Sequence, residues 1–131
     1  MKTNRFVSIF ALSAILTTSA LFAATNKGEE HPTGRFHGAK ANTGMAIHYY
    51  VGDKSMIKVT PDFKVPDTPA PTWRVVDSKG TVYTLDAFKI KGGEKRQVMI
   101  PDYVRDIAKV QVYCAWAEVL LGEANFTKAV K

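Results

Sequence analysis

The chain has 131 residues, 18 lysines and arginines against 12 acids, a formal net charge of +6 and one cysteine. A single thiol excludes an internal disulfide framework, a paired-cysteine redox motif, thiolate-bound iron–sulfur clusters and covalently attached c-type haem. The bases are scattered and no aromatic platform or nucleic-acid motif accompanies them, so no nucleic-acid partner is expected.

In chain order, the first element is a leader. Lys2 and Arg5 precede an apolar run from Phe6 to Leu16 and a small-residue stretch ending in Ala20 to Ala24, which is the pattern of a signal peptide, with cleavage expected after Ala23. The run is shorter than the roughly 20 residues that cross a bilayer, so no membrane span is expected once the leader is gone. Loss of residues 1–23 leaves 108 of the 131, one domain, and takes Lys2 and Arg5 with it, for a net charge of +4. A chain of that size buries about two thirds of its unfolded surface. The expected location is periplasmic or extracellular.

Residues 24–43 are poor in large apolar side chains and rich in Gly, Lys, Asn and His, and read as a mobile lead-in to a domain over 44–127. His31 and His37 fall in it, as parts of a solvated tail rather than as metal ligands. Met45 to Val51 has the β-branched and aromatic content of a strand, and Gly52 to Ser55 turns it back into Met56 to Thr60. The alternation puts Met45, Ile47 and Tyr49 on one face and Ala46, His48 and Tyr50 on the other. His48 reads as an edge-facing polar residue, with ligand duty as the alternative.

Prolines 61, 66, 69 and 71 remove backbone donors from the segment 61–72, which becomes a fixed crossing loop. Trp73 to Asp77 and Thr81 to Leu85 flank the turn Asp77-Ser78-Lys79-Gly80 as a second hairpin, with Trp73, Val75, Val82 and Leu85 in the core. Ala87 to Lys91 and Arg96 to Ile100 flank Gly92-Gly93-Glu94-Lys95 as a third. Lys89, Lys91, Lys95 and Arg96 form the densest basic group, read as a solvated hairpin tip. Asp102 to Asp106 is expected to make one helical turn.

Lys109 to Phe126 is the most apolar segment of the mature chain. At period two, Val110, Val112, Cys114 and Trp116 share one face, so Cys114 points where the valines point. About eight short strands at close to ten-residue spacing, without an amphipathic helix, predict an all-β fold, an antiparallel β-sandwich or barrel.

Tyr113-Cys114 followed by Val119 and Gly122 resembles the closing motif of the DM-thirteen domain, a family named for electron transfer. Pro61-Asp62-Phe63, Leu85 with Ile90 and Lys91, Gln97 to Ile100, Pro101, Asp106, Val110 and Val112 stand in the matching order, so the resemblance spans roughly residues 45–126. Tyr113 stands where tryptophan is common in that family, and Ala117 where phenylalanine is usual. The resemblance implies an exported domain with an accessory role in electron transfer, Cys114 as its redox residue, and a redox or membrane cytochrome as partner.

The residues themselves demand no cofactor. Blue copper needs a histidine and usually a methionine shortly after the cysteine, and neither follows Cys114. Non-covalent haem stays open, with His48 and Met45, Met56 or Met99 as axial ligands. Glu118 with Glu123 and Asp102 with Asp106 lack a neighbouring nucleophile, so no catalytic residue is named. The alternative to redox duty is a binding or interaction module in which Cys114 is core, while the proline loop, Trp73, Tyr49 and Tyr50 make the contact surface.

Overall fold

The computed structural model describes residues 28–131 and is all-β, with ten strands and no helix. The expected leader lies outside the described residues. No helix among the described residues is long and apolar enough to cross a membrane.

Two four-stranded antiparallel sheets make the body. The first holds β1 (His31–Arg35), β2 (Met45–Val51), β3 (Lys54–Val59) and β8 (Gln97–Met99), in that spatial order. The second runs β10 (Val119–Val130), β9 (Ile107–Cys114), β4 (Pro71–Val76), β5 (Val82–Ala87). A two-residue ladder joins β6 (Lys89–Ile90) to β7 (Gly93–Glu94). The sheets meet at one seam, where His37 bridges Glu123 of β10. No strand pairing among the described residues joins β5 to β8, so of the two expected architectures the sandwich is found and the closed barrel is not.

Alternation sets the core. β9 turns Val110, Val112 and Cys114 inward beside Trp73 and Val75 of β4, and β2, β3 and β8 answer with Ala46, Ile57 and Val98. Through the middle runs a file of rings: Phe36 lies 4.9 Å from Phe63, Phe63 lies 5.7 Å from Phe88, and Phe88 stacks on Trp73 at 4.2 Å and 13°. Trp73 is fully enclosed, and its Nε1–H donates to the Lys95 carbonyl at 2.9 Å. Pro71 opens β4 at the position where a strand tolerates a missing donor.

Several expectations are corrected. The lead-in expected over 24–43 contains β1, and Phe36 and Ala41 are core residues. A polar stretch can still add to a sheet through its backbone, and one ring anchors it. The third hairpin is reduced to β6 and β7, because residues 97–99 leave it to pair with β3 in the other sheet. Arg96 is not part of a solvated tip: its Nη2 donates to the carbonyls of Thr60 and Phe63, both at 2.9 Å, and clamps the start of the proline loop. Val82 is exposed, since β5 is an edge strand with one face in water. Residues 102–103 form one turn, closed by the Val104 N–H on the Pro101 carbonyl at 3.0 Å, and 104–106 are irregular, so no helical turn forms.

Candidate functional site

β9 ends at Cys114, and residues 115–118 turn the chain into β10, where Val119 pairs back with Cys114. Glu118 takes a left-handed φ of 53°, the conformation that closes four-residue hairpin loops. The strand therefore stops two residues earlier than alternation predicts. Trp116, expected to point inward beside Cys114, stands on the turn and is 77% exposed.

Cys114 itself faces inward and is 1% exposed. Its sulfur accepts the Ala117 N–H at 3.4 Å, a bond that the turn creates. That donor is the largest influence on the thiol and draws its pKa below the ordinary value, against the opposing pull of burial. Backbone groups of Ala70 and Trp116 act in the same direction. Thr68, whose buried hydroxyl finds no well-formed partner, adds a smaller pull the same way.

A pocket of about 280 Å³ opens over the sulfur. Ala39 and Lys40 form one wall, Thr68 and Pro69 of the proline loop another, and Trp116 and Leu120 the rim. Val119 and Leu120 are exposed with Trp116, so the outer lip is apolar as well. The backbone needed to build this end is close-packed. Gly122 lies against Ala41, and a Cβ there would meet that residue's carbonyl oxygen and, at 2.8 Å, its own Cβ.

His48 is a second buried polar group, and it is not edge-facing: the ring is 0% exposed. Its Nε2 lies 2.8 Å from Ser55 Oγ, and its Nδ1 is buried without a partner. Tyr50 meets the ring edge-on at 5.0 Å and His31 stacks on it at 5.9 Å. Burial first, and His31 second, lower its pKa from 6.5 to about 4.

Haem does not fit this residue set. His48 shares the inward face of β2 with Ala46, while Met45 and, on β3, Met56 alternate to the outward face, and Met56 pairs with the exposed Met99. The histidine and the methionines thus lie on opposite sides of one sheet. Among the described residues no three of His, Cys, Asp and Glu converge in a way that could hold a metal ion. The contact surface expected from Trp73, Tyr49 and Tyr50 is not assembled either. Trp73 is interior, Tyr49 sits outward with its hydroxyl on Gln97 Oε1 at 2.8 Å, and Tyr50 lies on the other face against His48.

Pocket residues that sequence reasoning missed come from three separated segments, 39–40, 68–69 and 116–121. The prolines were the one visible signal, since they mark a loop held in place between layers. Comparison of the chain with family models, with curated proteins and with solved structures finds no match.

Proposed function

We propose that this chain is a non-enzymatic binding module, exported by its leader, that takes an apolar side chain of a protein partner into the pocket above Cys114. One observation carries the reading: a buried thiol floors a pocket whose rim is a tryptophan exposed at 77%, with Val119 and Leu120 beside it. A few aromatic side chains in well-packed, desolvated pockets, tryptophan above all, supply most of the affinity in protein contacts. At about 280 Å³ the pocket is just below the ~300–1,000 Å³ of small-molecule sites, a size suited to one large side chain.

A thiol-reagent titration of the native protein tests it. Slow labelling of Cys114, rising to stoichiometric labelling on denaturation, is expected. Rapid labelling of the folded protein would discredit a buried floor and favour a second reading, accessory electron transfer through Cys114. The donors gathered round the sulfur support that second reading, because they favour thiolate. It accords with the resemblance to the DM-thirteen family and implies a redox or membrane cytochrome partner. A visible absorption band in purified native protein would likewise support it, and a colourless protein with a resistant thiol would not.

A further inference from the structure

We propose that β1 is an acid-released edge strand: protonation of His48, enclosed between His31 of β1 and the sandwich interior, detaches His31–Gly34 from β2 while β9 and β10 remain folded. A neutral imidazole has one N–H, and Ser55 Oγ at 2.8 Å is the one hydrogen-bond partner the ring has among the described residues. An imidazolium has two N–H groups, so one of them would stay buried and unpartnered whichever nitrogen faces the serine.

Among the described residues, the groups that face the ring offer no compensating charge. From β1 the ring is faced by His31, its direct cross-strand neighbour, and protonating both rings would set like charges side by side. From β2 it meets Tyr50, whose hydroxyl donates to the main-chain oxygen of Lys131 at the end of β10. The inward residues of β3 beside the ring are Ser55 and Ile57, neither charged. Glu30 and Lys58 pair with each other nearby, at the entry to β1. The low pKa of about 4 agrees with this geometry.

On its ladder side β1 is weakly held: it is five residues long and ends its sheet, with β10 packed along its other side. Pro32 contributes no N–H, and the register with β2 slips between Pro32 and Arg35. The Ala46 N–H, which in a regular ladder would bond to backbone, donates to Thr33 Oγ1 at 2.9 Å. The packing on β10 continues past Arg35 and is joined there by firmer anchors: Phe36 is packed in the ring file and His37 bridges β10. Opening therefore ends at Phe36, with Gly34 as a pivot free of any side chain.

The sign follows from linkage. A folded-state pKa below the unfolded value means that the opened chain takes the proton more readily. The closed form keeps its full stability above pH 6.5 and loses it as the pH falls toward 4. Across that whole window the opening equilibrium shifts by roughly 300-fold.

Amide exchange of the full chain tests this, with Val110 and Val112 of β9 as internal reference. Between pH 7 and 4.5, protection at Thr33 and Ala46 should fall roughly fifty- to a hundredfold relative to the reference amides. Equal loss in β9 would mean global unfolding and would overturn the proposal, as would unchanged protection. A ring titration of His48 by NMR with a midpoint near 6.5 would overturn it too. His48→Gln should abolish the relative pH dependence. Should that variant not fold, His31→Gln, which removes the repelling neighbour from the edge strand, should make the loss shallower, and an unaltered profile would refute the role given to His31.

Discussion

The two tryptophans divide the molecule. Trp73 stands on a strand flanked by β9 and β5, opposite Val112 of β9, with a stacked Phe88 and a satisfied indole N–H. Trp116 stands on a four-residue turn with most of its surface in water. An enclosed ring with every polar atom paired contributes to folding. An open ring beside an apolar pocket contributes nothing comparable to the fold, and is available to a partner.

The largest expected effect breaks the first half of that contrast. Trp73→Ala removes the ring that ends the Phe36–Phe63–Phe88 file and orphans the Lys95 carbonyl. A loss of about 3–5 kcal/mol is expected, read as the shift of the denaturant midpoint at constant slope. A loss below about 1 kcal/mol would mean that the file does not hold the two sheets together.

Next comes the backbone under the pocket. Gly122→Ala pushes a methyl group into the backbone and Cβ of Ala41, so relief requires β10 or the segment before β2 to move. About 1–3 kcal/mol should be lost, and thiol labelling of Cys114 should quicken as the floor loosens. Destabilisation without faster labelling would separate the packing at Ala41 from the enclosure of the sulfur. Cys114→Ser should cost a comparable or smaller amount, ~1–3 kcal/mol, because a hydroxyl is more polar than the thiol it replaces and is held in the same apolar floor.

How much of this was legible follows the same division. The alternation of Val110, Val112 and Cys114 placed the inward face of β9, and the Trp73–Val75 pattern placed β4, because a strand buried on one face writes period two into its residues. The reading failed where geometry is set by distant partners. Trp116 obeys the alternation on paper, yet the turn that lets Val119 pair with Cys114 takes it out of the strand. His48 looked like an edge residue because its neighbour on β1, His31, sits in a stretch too polar to announce a strand. The pocket brings together residues 39–40, 68–69 and 116–121, and no local pattern links segments so far apart.

The smallest effect on stability is the most informative about function. Trp116→Ala removes an exposed side chain from a turn whose closure depends on the backbone of Ala117 and on Glu118, not on the indole. Stability should therefore stay within about 0.5 kcal/mol of the parent. Fluorescence provides the other reading, since Trp73 is shielded and Trp116 is open. A collisional quencher should reach one of the two indoles in the native protein, and in Trp116→Ala it should reach almost none. If a partner's side chain occupies the pocket, that quenching should also be lost on binding, and Trp116→Ala should weaken the complex while leaving the fold as it was. Loss of binding accompanied by loss of stability would place Trp116 with Trp73 after all, as part of the framework.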